Sequence, residues 1–119
     1  IYIGNSYKEH AIWKHAVNLT KRVYQITANF PVHQRYSLGD QMQRAATSIL
    51  SNVAEGWYRS RNEWLRYMRI AYGSAAELES QLLLASELGF CDRISYESVC
   101  EVLENVMRLL NYYTHKSRH

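Results

Sequence analysis

The sequence predicts an all-α protein, an antiparallel up-down-up-down four-helix bundle. Three observations carry this prediction. Apolar residues recur at four-three spacing in four long stretches, which puts them on one face of each helix. One proline and five glycines in 119 residues leave few loops and long helices. No segment alternates polar and apolar residues as a half-buried strand would. Long helices joined by short connections pack as antiparallel neighbours.

The first helix is expected over residues 7–28, where Ile12, Ala16, Leu19, Val23 and Ile26 form one row and Trp13, Val17, Thr20 and Tyr24 a second beside it. Pro31 ends it, because the residue before a proline avoids helical backbone. The second helix is expected over 37–59, opened by Ser37 with Asp40 three residues on, with Leu38, Met42, Ala45, Ile49 and Val53 facing the core. Ser60 and Glu63 form a capping box for the third, expected over 61–88, whose seam is Trp64, Met68, Ala71, Ala75, Leu78, Leu82 and Ala85. Gly89 is placed to take the left-handed conformation after its last turn. Ser95 is expected to cap the fourth, over 95–115, with Val99, Leu103, Val106, Leu110 and Tyr113 inward. Gly56 and Gly73 fall inside helices, where glycine costs about 1 kcal/mol against alanine, so a close helix approach is expected at both.

Residues 1–119 read as a single domain. No apolar run approaches the ~20 residues that span a bilayer. No basic-then-apolar leader opens the chain, so export is not expected and a cytoplasmic location is. Cys91 and Cys100 are expected as free thiols. Neither they nor His10, His15, His33, His115 and His119 have ligand spacing, so no metal or cofactor is expected. Ten tyrosines and three tryptophans are many for this length, and some of that aromatic surface is expected at a partner or subunit interface.

Two stretches carry polar residues at helical spacing: Arg44, Ser48, Asn52 and Glu55, then Ser74, Glu77 and Gln81. In antiparallel helices joined near residue 60, positions whose numbers sum to about 120 lie level, given equal rise in both. Arg44 is therefore expected near Glu77, and Glu55 near Arg66. A carboxylate beside a cation has a lowered pKa and makes a poor general acid or base. Arg44, Ser48, Asn52, Glu55, Ser74 and Glu77 are thus expected to form a structural polar network that sets helix register. No phosphate-cradling loop, nucleophile elbow or zinc helix motif is present, and enzymatic activity is not expected.

The net charge is +3, but the bundle path polarises it. The end shared by the start of the first and third helices and the finish of the second and fourth collects Lys8, Lys14, Arg59, Arg61, Arg66, Lys116 and Arg118. Glu9, Glu55 and Glu63 oppose them there, a balance of +4. The opposite end carries four cations against six acids, a balance of −2. A basic end with Trp57, Tyr58 and Trp64 interleaved suits phosphate contact and stacking on unpaired bases. The same aromatics also fit core or subunit contacts, and solvated basic ends often bind nothing.

The pattern R-A-x-x-S-x-x-x-N-x-A-E-G runs from Arg44 to Gly56, with Arg59 and Arg61 after it, then I-A-x-G-S-x-x-E-L-x-x-Q-L from Ile70 to Leu82. With Trp13 and Phe30-Pro31, these residues resemble the bacterial four-helix-bundle proteins encoded in intervening sequences of large-subunit ribosomal RNA genes. The resemblance spans about Tyr7 to Tyr112. The family is similar in fold to the accessory variability determinant of diversity-generating retroelements. That likeness implies a homopentameric ring, nucleic acid as a partner (RNA before DNA), and a reverse transcriptase as a further candidate partner. This sequence departs from the pattern at Leu50, where proline is frequent, and has the bulky Trp57-Tyr58 after the glycine. The expected function is non-enzymatic RNA binding by a ring-shaped homo-oligomer through the seven cations of the basic end. The alternative is a protein-interaction adaptor, such as an accessory subunit of a retroelement reverse transcriptase.

Overall fold

Capping groups place the helix ends. The computed structural model describes residues 7–116, without the side chains of Glu9 and Lys116. A 3-10 turn at Tyr7–Glu9 leads to helix α1, Ala11–Ala28. Between them His10 is extended, and its Nδ1 accepts the Ile12 N–H at 3.3 Å. The expected first helix is therefore interrupted at His10, which acts as the N-cap. Burial lowers the His10 pKa, which keeps Nδ1 available as an acceptor.

Pro31 both ends α1 and starts the next helical stretch. Its carbonyl accepts from Gln34 N at 2.8 Å and Arg35 N at 3.2 Å. The chain then passes through a single-turn helix α2, Val32–Gln34, and a π-helical turn, Arg35–Gly39, into α3, Asp40–Trp57. Ser37 is therefore not the expected cap. The backbone is already helical there, and its hydroxyl donates to Gln34 Oε1 at 3.0 Å.

Ser60 caps helix α4, Arg61–Glu87, accepting from Glu63 N at 3.3 Å while its hydroxyl donates to Glu63 Oε1 at 3.1 Å. Gly89, at φ +75°, ends α4 in the left-handed region, with Phe90 N bonded to Ala85 O at 2.9 Å. Helix α5, Arg93–Lys116, begins two residues before the expected start. Asp92 is its cap, taking the Ser95 N–H at 2.7 Å and the Ser95 hydroxyl at 3.2 Å. A carboxylate is a stronger acceptor than a hydroxyl, so Ser95 becomes the donor.

Helices α1, α3, α4 and α5 close a four-helix bundle in which each touches two neighbours around the ring. Side-chain pairs give the directions. Thr20 reaches Ala46 and Gln43 reaches Thr27, so α1 and α3 run opposite. Ser48 meets Ser74 and Glu55 meets Tyr67, so α3 and α4 do too. Arg22 reaches Ser98 while His10 meets Tyr113, which sets α5 against α1. The core is the set of seams read above joined by Phe30, Ala46, Leu65 and Val102, with Leu38, Trp64 and Tyr113 half-buried at its edge and Tyr24 exposed. Leu19, Leu78, Leu82, Leu103 and Leu110 are at most 1% exposed. Each stabilises the fold by about 1.5–3 kcal/mol over leaving it in water.

The two helical glycines differ. A Cβ on Gly56 would lie 2.8 Å from Tyr67 Cβ, so α3 and α4 do approach closely there. A Cβ on Gly73 would meet nothing within 4 Å, and no close approach explains that glycine.

Candidate nucleic-acid interface

The antiparallel path brings the start of α1, the end of α3, the start of α4 and the end of α5 to one pole, where aromatic side chains join them. Tyr7 packs edge-on against Trp13 (5.5 Å between ring centroids) and Tyr58 (6.1 Å). His10 meets Trp57 at 5.2 Å and Tyr113 at 5.1 Å, and Trp64 meets Tyr113 at 5.6 Å. Edge-to-face pairs of this kind each contribute about 0.5–1.5 kcal/mol beyond the area they bury. Trp57 and Trp64 are half-buried in this cluster, so their first role is to bind the helix ends together rather than to offer open stacking platforms. Tyr58 is 59% exposed and stays at the surface.

Lys8, Lys14, Arg59, Arg61 and Arg66 are exposed on this pole. The Lys116 side chain and Arg118 lie outside the described residues. Arg59 is held by Glu55 at 3.1 Å, and its guanidinium lies 5.6 Å from the Tyr67 ring centroid. Glu55 also accepts from Tyr67 Oη at 3.3 Å. Both partners of the ion pair are about half exposed, so the pair contributes little stability and partly neutralises Arg59. Glu63 is engaged by Ser60. Among the described residues, no carboxylate lies within 4 Å of Lys8, Lys14, Arg61 or Arg66.

The expected polar network divides. Ser48 and Ser74 share a hydrogen bond of 2.8 Å across α3 and α4. Asn52 Nδ2 donates to Ser48 O at 2.7 Å and to Ser48 Oγ at 3.2 Å. Those three side chains make a half-buried polar rung. The charged members lie outside it. Arg44 and Glu77 are exposed and do not pair; Glu77 takes a hydrogen bond from Gln81 at 3.4 Å instead. Glu55 pairs with Arg59, not Arg66. Level positions on facing helices are not touching ones, because both side chains start on the outer edge of the seam and extend into water.

Sequence reading missed a groove between α1 and α5, lined by His15, Asn105, Arg108, Leu109 and Tyr112. Arg108 and Tyr112 are four apart on α5, which was a visible signal, but His15 joins them only through the fold. Among the described residues no three His, Cys, Asp or Glu side chains converge as metal ligands. No described helix is long and apolar enough to cross a membrane.

A family model described as 23S rRNA-intervening sequence protein matches residues 8–112. Among solved structures, the chain is similar to a protein of unknown function from the S23 ribosomal protein family of Bacteroides thetaiotaomicron VPI-5482. The TM-score is 0.77 at 24% identity, over 87% of this chain and 90% of that one. At that identity the likeness bears on the fold. No curated protein matches. The family match runs from the basic residues before α1 through all four bundle helices to Tyr112, and the chain belongs to the 23S rRNA-intervening sequence protein family.

Proposed function

We propose that the protein is a non-enzymatic RNA-binding protein that works as a ring-shaped homopentamer, with the basic pole as its RNA surface. The observation that carries the reading is the pole itself. Lys8 and Lys14 from one segment and Arg61 and Arg66 from a chain-distant one face water at the same end, while Glu55 and Glu63 are engaged by other partners. Cations that no described carboxylate pairs with release counterions when they neutralise phosphates, which is the main source of sequence-independent affinity. In a ring of five, like poles merge into one basic rim. The half-buried free thiols Cys91 and Cys100 suit a reducing compartment, so we place the protein in the cytoplasm.

The test is titration of a labelled single-stranded RNA with the full chain at rising salt, beside a measurement of solution mass. Affinity falls steeply with salt. Arg61→Glu with Arg66→Glu lowers the slope of log K against log salt by about 1.4, at ~0.7 per phosphate contact on a single strand. Salt-independent binding, or none at low salt, refutes RNA binding; a monomer mass refutes the ring. A protein-interaction adaptor, such as a subunit serving a reverse transcriptase, is the second reading. It is favoured by Val32, Tyr36, Leu88 and Ile94, 54–82% exposed at the opposite pole. The double charge reversal separates the two, because it weakens RNA binding but spares a protein pull-down.

A further inference from the structure

We propose that the groove between α1 and α5 holds one unpaired nucleotide of the bound RNA strand. This inference rests on the RNA-binding reading above and adds a site that the basic pole alone does not supply. The groove has a volume of about 520 Å³ and is lined by His15, Asn105, Arg108, Leu109 and Tyr112. Its floor is the half-buried Leu109, and Tyr112 is 54% exposed along its edge. Together they form an apolar slot beside an aromatic ring, which suits a planar heterocycle.

The rim supplies the charge. Arg108 Nη1 donates to Asn105 Oδ1 at 3.1 Å, which orients the guanidinium and leaves its remaining donors available. No acidic residue lines the groove. Among the described residues no carboxylate lies within 4 Å of Arg108, although Glu104 is one turn away on the same helix. The half-buried His15 imidazole and the Asn105 amide complete a rim that favours an anion and offers hydrogen bonds to base edges. A duplex presents phosphates but keeps its bases stacked, so it satisfies Arg108 and leaves the apolar slot unfilled. An unpaired nucleotide satisfies both.

Ring contacts link the groove to the aromatic cluster of the basic pole. Tyr112 packs against Tyr113 at 5.5 Å, and Tyr113 in turn meets His10 and Trp64. On α1, His15 follows the exposed Lys14. A strand lying on the pole reaches the groove by crossing Tyr113, with its phosphates passing from Lys14 to Arg108.

The test uses the full chain, a short single-stranded oligouridine and an RNA duplex of equal length. Arg61→Glu with Arg66→Glu weakens binding of both. Tyr112→Leu weakens the single strand roughly tenfold more than the duplex, the expected effect of losing one stacked base. Arg108→Gln weakens single-strand binding and lowers its salt slope by about 0.7. If oligouridine binds Tyr112→Leu as tightly as the wild type, the groove is refuted and the RNA-binding reading stands. Uridine monophosphate alone provides a second readout, through the ring-proton NMR signals of His15 and Tyr112. Shifts in both support the groove even if the oligonucleotides do not bind, an outcome that refutes only the wider reading. No shift in either ring overturns the groove. A fall in solution mass in Tyr112→Leu assigns the groove to a contact between copies of the chain and overturns it too.

Discussion

Replacing Gly56 by alanine tests whether α3 and α4 are packed to their limit beside the basic pole. The new Cβ would lie 2.8 Å from Tyr67 Cβ, 3.4 Å from Tyr67 Cγ and 3.5 Å from Met68 Cε. Tyr67 Cβ is one bond from the α4 backbone, so no rotamer change removes it. Reaching an ordinary contact of 3.4 Å requires the helices to part by 0.6 Å. Overpacking of this kind costs about 1–3 kcal/mol. Alanine returns at most about 1 kcal/mol in helix propensity. With that full return the net change is a loss of up to about 2 kcal/mol, and with none a loss of up to about 3 kcal/mol. Gly73→Ala is the internal control, since it carries the same propensity gain and its Cβ meets nothing within 4 Å. It is expected to stabilise by up to about 1 kcal/mol. The gap between the two variants isolates the steric contact, about 1–3 kcal/mol. For a domain of this size that is a difference in Tm of about 4–12 °C. Thermal melts followed by circular dichroism at one protein concentration measure it, since assembly makes Tm concentration-dependent. Equal melting of the two variants would refute the close approach.

Two further outcomes follow from the caps. His10 caps α1 through an unprotonated Nδ1, and burial holds its pKa below the ordinary 6.5. The unfolded chain therefore takes up this proton first, so the stability His10 contributes is complete above pH 6.5 and is lost as pH falls through the folded value. Tm should fall as the pH drops below about 6.5, and His10→Asn, which keeps a capping acceptor that does not titrate, should flatten that fall; identical pH profiles would exclude the role. At the start of α5, Asp92→Ala should lower Tm more than Ser95→Ala, because Asp92 accepts from both the N–H and the hydroxyl of Ser95. The reverse order in a denaturation series would return the cap to Ser95.

The bundle was legible wherever spacing alone decides the outcome. The rows Ile12 to Ile26, Met42 to Val53, Met68 to Ala85 and Val99 to Leu110 are buried because a residue's place on the helical wheel fixes which way it faces. Depth was not legible. Arg44 and Glu77 lie level by register, yet both extend outward, while the shorter Ser48, Asn52 and Ser74 make the actual polar rung. Helix starts were misplaced where two signals competed. Pro31 reads as a stop for α1, but its carbonyl also begins the following helical stretch, which demotes Ser37. Asp92 and Ser95 are both good caps in isolation, and only the geometry shows which accepts. That Lys8, Lys14, Arg59, Arg61 and Arg66 share one end followed from topology. The α1–α5 groove did not, because His15 and Arg108 share no local pattern and meet only when the first helix lies beside the last.

That meeting has a kinetic side. Three of the four lateral seams join bundle helices that follow one another along the chain, across residues 29–39, 58–60 and 88–92. The seam between α1 and α5 alone must bring the two extremities of the polypeptide together, across the longest loop in the molecule. Its entropy cost comes due when that last pair docks, whereas the other three pairs zip locally and fast. The face on which Arg108 and Tyr112 lie is thus the one whose closure carries the largest entropy cost.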